Sequence, residues 1–183
     1  MLQLADCTFE RLTDTPPASF DCGDADLNEF LLDDALPHQN ELLAVTYLIR
    51  YGRDVIAYFS VLNDRIASEE FPTKSRLRVL PFPKRRYKSY PAVKLGRLAV
   101  TTNFQNQDLG TQMLDYIKMW FIDRNKTGCR FITVDAYERA VSFYARNGFI
   151  PLSEQSEDSH TKLMYFDLKP YAEQLAQISS TDR

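Results

Sequence analysis

The stretch Val93–Leu114, VKLGRLAVTTNFQNQDLGTQML, decides the fold because a strand, a polar turn and the start of a helix follow one another directly. Its apolar first part, Val93–Val100, predicts a buried strand. The helical spacing of Leu109, Met113 and Ile117 predicts a helix directly after the turn. A helix that begins there exposes its first backbone N–H groups, which together with the helix dipole favour a bound phosphate. The turn is therefore a candidate anion-binding site.

The chain on both sides of this stretch alternates between strand and helix patterns. Upstream we predict a strand at Cys7–Thr13, a helix that Asp24 caps and Pro37 ends, and a hairpin of Leu43–Tyr51 and Asp54–Leu62 joined at Gly52-Arg53. Downstream we predict strands at Arg130–Ala136 and Lys162–Leu168, a short helix at Glu138–Arg146 and a helix stop at Asn147-Gly148. This order predicts a mixed α/β sheet.

Length and composition predict one soluble domain, residues 1–183, because 183 residues with 44% hydrophobic content suffice for a single core. No run of about 18 apolar residues is present to cross a bilayer, and the N-terminus has no apolar signal-peptide core. We therefore expect a cytoplasmic protein without a membrane partner. Cys7, Cys22 and Cys129 are widely spaced, with only His38 and His160 to join them, so we expect buried free thiols and no metal site.

Charge is distributed unevenly along the chain. The formal net charge of -3 argues against general nucleic-acid affinity, yet Phe71–Gln107 contains no Asp or Glu. Nine basic residues lie there: Lys74, Arg76, Arg78, Lys84, Arg85, Arg86, Lys88, Lys94 and Arg97. Most belong to a proline-rich connection at about 68–92. Such a run is either a solvated surface or a surface for a polyanion, and both interpretations stay open.

Three motifs in order, LGRLAV at Leu95–Val100, QNQDLG at Gln105–Gly110 and SFYARNGF at Ser142–Phe149, resemble the GNAT superfamily of N-acetyltransferases. The resemblance covers roughly Val93–Pro151 and implies a centrally splayed, mixed β-sheet with flanking helices. It also implies acetyl-CoA as cosubstrate and no metal. In that family the turn is a Gln/Arg-x-x-Gly-x-Gly/Ala motif whose backbone holds the pyrophosphate. Gln105 and Gly110 match the motif, whereas Asp108 replaces its middle glycine.

The resemblance also implies the roles of individual residues. The cofactor-binding residues would be Leu98, Ala99, Val100, Gln105, Asn106, Gln107, Asp108, Leu109, Gly110, Thr111 and Tyr144. Tyr144 would be the general acid, because a phenol with a pKa of about 10 can protonate a departing thiolate. Asp135 and Glu138 are candidates to help a water deprotonate the acceptor amine, and caps at a strand end are the alternative role for both.

The activity that this resemblance implies is direct transfer of an acetyl group to a primary amine. Phe20–Gly23 and Leu27–Leu31 further resemble the toxin-type GNAT branch, which acetylates the amino group of aminoacyl-tRNA and pairs with a small antitoxin. A small molecule or a peptide as the acceptor stays open, as does a homodimer. The alternative of another class is a non-catalytic acyl-CoA-binding module, which the carboxylate of Asp108 favours.

Overall fold

The computed structural model describes residues 2–67, 69–71, 88–125, 127–152 and 160–181, with the backbone alone for residues 179–181. Most of the predicted basic connection at about 68–92 lies outside the described residues. The strands are β1 (Thr8–Arg11), β2 (Val45–Tyr51), β3 (Asp54–Ala67), β4 (Ser89–Val100), β5 (Phe131–Tyr137), β6 (Ile150–Pro151) and β7 (Thr161–Asp167). The α-helices are α1 (Ala25–Glu29), α2 (Ala35–Asn40), α3 (Leu109–Ile122), α4 (Val141–Arg146) and α5 (Leu168–Thr181).

The strands form one seven-stranded sheet in the order β1-β2-β3-β4-β5-β7-β6. The pairs β1–β2, β2–β3, β5–β7 and β6–β7 are antiparallel, whereas β4 and β5 are parallel. The parallel pairing covers only Ala92–Lys94 against Phe131–Thr133, while β5 pairs with β7 over its whole length. The prediction of a mixed α/β sheet is therefore confirmed, and this short parallel pairing is typical of a sheet that splays between β4 and β5.

The chain divides into two compact units, and β3 and β4 each contribute residues to both. The first unit comprises Met1–Asn63 and Leu95–Ile117. Its core contains Leu12, Phe20, Phe30, Leu31, Leu48, Tyr58 and Ala99. The hydroxyl of Tyr58 donates a hydrogen bond of 2.7 Å to the carbonyl of Leu27, so the phenol is satisfied inside this core.

The second unit comprises Asp64–Lys94 and Lys118–Arg183. Its core is an aromatic cluster in which Phe71, Phe131 and Tyr165 contact one another, with ring centroids 5.5 to 5.7 Å apart. The guanidinium of Arg130 binds the carboxylate of Asp167 through Nε at 2.6 Å and Nη2 at 2.9 Å. This bidentate pair fixes the start of β5 to the end of β7.

The first predicted helix begins as expected and ends later than expected. The carboxylate of Asp24 accepts a hydrogen bond of 3.2 Å from the N–H of Leu27, which confirms the N-cap. The prediction that Pro37 ends the helix is wrong, because a π-helical turn at Phe30–Asp34 leads into α2. Pro37 is the third residue of α2, and the π-helical turn directly before it keeps the chain helical up to the proline.

Candidate active site

The loop between β4 and α3 is held in place by Gln105. Its side-chain Nε2 donates to the carbonyl of Val100 at 2.9 Å and to the carbonyl of Cys22 at 2.8 Å. The loop also donates from the N–H of Thr101 to the carbonyl of Ile56 at 2.8 Å. These bonds fix the start of the turn against the rest of the first unit. The Gln105 side chain therefore shapes the loop, and it is the backbone that is left to meet a ligand.

Two residues of the loop have left-handed backbone conformations, Asn106 with φ 58° and Asp108 with φ 64°. A positive φ is uncommon for residues other than glycine, and Asn and Asp tolerate it best. The left-handed φ at position 108 explains why the GNAT motif has a glycine there. Asp108 adopts this conformation and is exposed. The replacement of glycine by aspartate therefore changes the charge of the loop and preserves its left-handed turn.

The N-terminus of α3 follows this loop directly. The first helical hydrogen bond runs from the N–H of Gln112 to the carbonyl of Asp108 at 3.1 Å. The N–H groups of Leu109, Gly110 and Thr111 precede it and have no intrahelical acceptor. Adjacent N–H groups of this kind, at the positive end of a helix dipole, bind anions. Gln107 does not extend this set through its side chain, because its Nε2 donates to the carbonyl of Asn103 at 3.0 Å.

The end of β4 combines buried and half-buried side chains. Ala99 points into the core of the first unit, while Leu98 and Val100 are half-buried. Arg97 lies over the ring of Phe30, 4.9 Å from its centroid, and its Nη2 is 3.8 Å from a carboxylate oxygen of Asp26. The guanidinium of Arg97 thus contacts Phe30 and Asp26 of the same unit.

Tyr144 lies on α4 in the second unit and is 7% exposed. Its ring contacts those of Phe143 and Phe149, with centroids 5.2 and 5.4 Å away. Burial raises the pKa of Tyr144 well above its ordinary value. The phenol therefore keeps its proton throughout the neutral pH range, which is the state a general acid needs before reaction.

The two candidate acids differ in their surroundings. Asp135 forms an ion pair with Lys94, whose Nζ lies 2.8 Å from a carboxylate oxygen of Asp135. Burial lowers the pKa of Lys94, but its hydrogen bond and charge interaction with Asp135, together with the charges of Asp64 and Glu70, raise it overall. Asp135 is therefore engaged by a cation. Glu138 is exposed at the start of the 3-10 turn before α4.

Lys118 of α3 was not predicted to be a functional residue, although its side chain is buried in the second unit. The sequence does contain a sign of this burial, because Lys118 stands among the apolar positions of the helical pattern. The histidines are unremarkable by comparison: His38 packs against the ring of Phe30 and His160 is exposed.

Metal and membrane features are absent from the described part of the chain. No group of three or more His, Cys, Asp or Glu residues there is arranged to hold a metal ion. None of the described helices is both long enough and apolar enough to span a membrane. None of the three cysteines forms a disulfide; Cys22 and Cys129 are buried as predicted, whereas Cys7 is half-buried.

Comparison with known proteins gives a family match and several structural matches. Residues 76–151 match the acetyltransferase (GNAT) domain family. A tyrosine-to-phenylalanine mutant of KacT has a TM-score of 0.75 and 26% identity, with 92% of this chain and 98% of KacT covered. AtaT complexed with acetyl-methionyl-tRNAfMet has a TM-score of 0.72 and 28% identity, covering 90% of this chain and 96% of AtaT.

A further structure is a tyrosine-to-phenylalanine mutant of the toxin AtaT, bound to the C-terminus of the antitoxin AtaR and acetyl-CoA. It has a TM-score of 0.69 and 26% identity, and the match covers 93% of this chain and 98% of that one. The family match includes the strand, turn and helix of Val93–Leu114 and continues through α4. The mixed sheet, the ordered motifs and these matches together identify residues 76–151 as an acetyltransferase (GNAT) domain, within a fold similar to those of KacT and AtaT.

Proposed function

We propose that this protein is a toxin-type GNAT enzyme that transfers the acetyl group of acetyl-CoA to the amino group of an aminoacyl-tRNA. The observation that carries the proposal is the match to AtaT complexed with acetyl-methionyl-tRNAfMet, at 28% identity over 90% of this chain and 96% of AtaT. Coverage of nearly the whole of both chains means that the likeness is not confined to the cofactor-binding motif that GNAT enzymes of many specificities share.

The loop and the N-terminus of α3 fit the pyrophosphate of acetyl-CoA. The N–H groups of Leu109, Gly110 and Thr111 supply the donors, and the left-handed residues Asn106 and Asp108 provide the tight turn before them. The family resemblance assigns the backbone of Leu98, Ala99 and Val100 to the pantetheine arm. In this assignment one backbone N–H of that strand stabilises the oxyanion that forms from the thioester carbonyl.

Tyr144 has the role of general acid in the proposed transfer. The amine nitrogen attacks the thioester carbonyl carbon, a C–N bond forms, and the C–S bond breaks. The departing CoA thiolate takes the proton of the Tyr144 hydroxyl, the amine releases a proton to solvent, and solvent returns a proton to Tyr144. The hydroxyl is protonated at neutral pH, as the step requires, and the assignment rests on the resemblance of Ser142–Phe149 to the GNAT motif.

We also propose an antitoxin as protein partner, because AtaT has been seen with the C-terminus of its antitoxin AtaR at 26% identity to this chain. The expected antitoxin is a small DNA-binding protein whose C-terminal segment binds the enzyme and inhibits it. The test is to add the product of the neighbouring reading frame at equimolar concentration, and we expect it to inhibit acetyl transfer.

The test of the acceptor is acetylation of charged tRNA over a salt series, with a triple variant of the basic connection. Arg85, Arg86 and Lys88 are replaced by glutamine, and Arg53, Arg65 and Lys169 are replaced in the same way as a control with an equal change of net charge. Loss of phosphate contacts weakens tRNA binding for all sequences and reduces the slope of log K against log salt by about 2 to 3. The control triple variant is expected to retain the wild-type slope.

Two other results would lead to different conclusions. Efficient acetylation of a small amine or a peptide, with charged tRNA untouched, would leave a GNAT enzyme of another specificity. Binding of acetyl-CoA without turnover on any acceptor would favour the second candidate, a non-catalytic acyl-CoA-binding module. The carboxylate of Asp108 next to the anion-binding N–H groups is the observation that favours this second candidate.

A further inference from the structure

Lys118 places an ammonium group in the interior of the second unit. It lies on α3, which is lined with buried apolar side chains, and the residue is only 4% exposed. Removing a charge from water is costly, so a buried lysine persists only where the surroundings compensate its charge. The groups that compensate this lysine indicate what its charge stabilises.

The ammonium group of Lys118 interacts with a backbone carbonyl and two aromatic rings. Its Nζ donates a hydrogen bond of 3.0 Å to the carbonyl oxygen of Asn147. It also lies 4.7 Å from the ring centroid of Phe166 and 5.7 Å from that of Tyr171. Cation–π contacts at these distances are favourable, particularly when the cation is desolvated. Lys118 is thus directed at Asn147, the residue that caps the C-terminus of α4.

Asn147 connects this ammonium to the backbone of Tyr144. Its N–H donates to the carbonyl of Tyr144 at 3.0 Å, and its side-chain Nδ2 donates to the carbonyl of Phe143 at 2.9 Å. The Asn147 carbonyl lies at the negative end of the α4 dipole, where a cation is favoured. Lys118 therefore stabilises the end of the helix turn on which Tyr144 lies.

A second connection runs through aromatic rings. Phe166, which lies under the ammonium of Lys118, is 5.5 Å from the ring of Phe149, and Phe149 is 5.4 Å from the ring of Tyr144. The N–H of Phe149 also donates to the carbonyl of Tyr144 at 3.0 Å. Lys118 is thus linked to the backbone of Tyr144 through Asn147, and to the ring of Tyr144 through Phe166 and Phe149.

We propose that Lys118 is a positioning residue for Tyr144, a role that rests on the proposed function of Tyr144 as general acid. The lysine fixes α4 from one side by its charge and its hydrogen bond, and it leaves cofactor binding to the loop before α3. Its loss is expected to slow the acetyl transfer step with little effect on the binding of acetyl-CoA.

The test is a double-mutant cycle of Lys118→Met and Tyr144→Phe, in which methionine keeps most of the length of the side chain and removes its charge and its hydrogen-bond donor. Lys118→Met is expected to lower kcat about 10- to 100-fold and to leave KM for acetyl-CoA within about twofold. In the Tyr144→Phe background the same substitution is expected to lower kcat by less than about twofold. Lys169→Met, an exposed lysine of α5, is the matched control and is expected to change neither parameter.

A spectroscopic measurement follows Tyr144 directly and needs no turnover. The fluorine resonance of 3-fluorotyrosine at position 144 is expected to shift in Lys118→Met and to stay unchanged in Lys169→Met. If Lys118→Met does not fold, Lys118→Gln enters both experiments, because glutamine removes the charge and keeps a polar N–H donor in the side chain. Gln is then expected to lower kcat less than tenfold, again only where Tyr144 is present.

The outcomes separate the positioning role from the proposed function. Equal slowing by Lys118→Met with Tyr144 intact and in the Tyr144→Phe background, or an unshifted fluorine resonance, would overturn the positioning role while the transferase stands. A loss of less than about threefold in Tyr144→Phe on a chemistry-limited rate would remove the general acid and, with it, the catalytic purpose of the positioning. Coupling in the cycle together with a shifted resonance supports the proposal.

Discussion

Asp108 gives the sharpest test of the anion-binding loop, because its charge and its backbone conformation are separable. Its φ of 64° is left-handed, and its carboxylate precedes the free N–H groups of α3. Asparagine, glycine and alanine all remove the charge. Asparagine tolerates the left-handed conformation and glycine adopts it without strain, whereas alanine strains the backbone. Asp108→Asn, Asp108→Gly and Asp108→Ala therefore form a series that distinguishes the two effects.

The magnitude of the charge effect follows from Coulomb's law. Two negative charges of a pyrophosphate at roughly 6 Å from the carboxylate interact in water with about 1.4 kcal/mol. A Debye length of about 8 Å at physiological ionic strength reduces this to about 0.7 kcal/mol, which is about threefold in Kd. All three variants are thus expected to bind CoA about threefold more tightly, and the gain grows to about tenfold at low salt. The strain in Asp108→Ala costs about 1 kcal/mol, or about 2 to 4 °C in Tm.

The assay is calorimetric titration with CoA and with dephosphorylated pantetheine at low and physiological salt, beside thermal unfolding. Asp123→Asn is the matched control, because this acid follows the far end of α3, about 20 Å along the helix. It is expected to leave the Kd of CoA unchanged. Weaker CoA binding by Asp108→Asn, or an equal gain for pantetheine without phosphate, would refute the placement of the pyrophosphate at this turn.

Two further predictions concern the second unit. Because burial raises the folded-state pKa of Tyr144 above the unfolded value of about 10, its contribution to stability is complete below pH 10 and declines as pH rises further. Tyr144→Phe should therefore flatten the fall of the unfolding free energy above pH 10, and an unchanged slope would contradict the burial of the phenol. Arg130→Met should cost about 2 kcal/mol, or about 4 to 8 °C in Tm, because it leaves the Asp167 carboxylate, 28% exposed, without its bidentate partner. A loss below about 0.5 kcal/mol in thermal unfolding would show that solvent replaces the guanidinium. Arg130→Lys keeps the charge without the second hydrogen bond, so it measures how much of the stabilisation comes from the bidentate geometry.

Local patterns predicted the elements that local physics determines. The Asp24 cap, the hairpin at Gly52-Arg53 and the helix after the Asp108 turn all rest on contacts within a few residues. The prediction of a helix stop at Asn147-Gly148 is confirmed as well, since Gly148 has φ 83°. In each case the residue at the decisive position is of a type that favours the conformation found there.

Proline explains two errors in the predicted helices. Pro37 did not end its helix, and the C-terminal helix α5 was not predicted, with Pro170 near its start. Pro170 is the third residue of α5, which follows a strand, so its missing N–H would have had no intrahelical acceptor, whereas Pro37 follows a turn that is itself helical. Whether a proline interrupts a helix or lies in the first turn of the next depends on the preceding chain, here a π-helical turn before Pro37.

Contacts between distant parts of the chain could not be predicted from the sequence. The basic residues Lys94 and Arg97 were grouped by their position in the chain, but Lys94 pairs with Asp135 of β5, and Arg97 interacts with Phe30 and Asp26. Lys118 reaches the carbonyl of Asn147, 29 residues away. Such pairs depend on which strands and helices become neighbours, and the pattern of a single segment does not encode this.

Asp108 connects the sequence argument to the structural one. In the sequence its carboxylate favoured a non-catalytic module, because a negative charge repels a pyrophosphate. The structure shows that the backbone there has a left-handed φ, which aspartate adopts, so the replacement of the motif glycine leaves the loop geometry intact. What remains is one negative charge at the N-terminus of α3, the proposed site of the pyrophosphate. That charge is predicted to weaken CoA binding only about threefold at physiological salt, which is too little to abolish cofactor use by an enzyme. The Asp108 carboxylate therefore favours the non-catalytic alternative only weakly, and an absence of turnover is the result that would establish it.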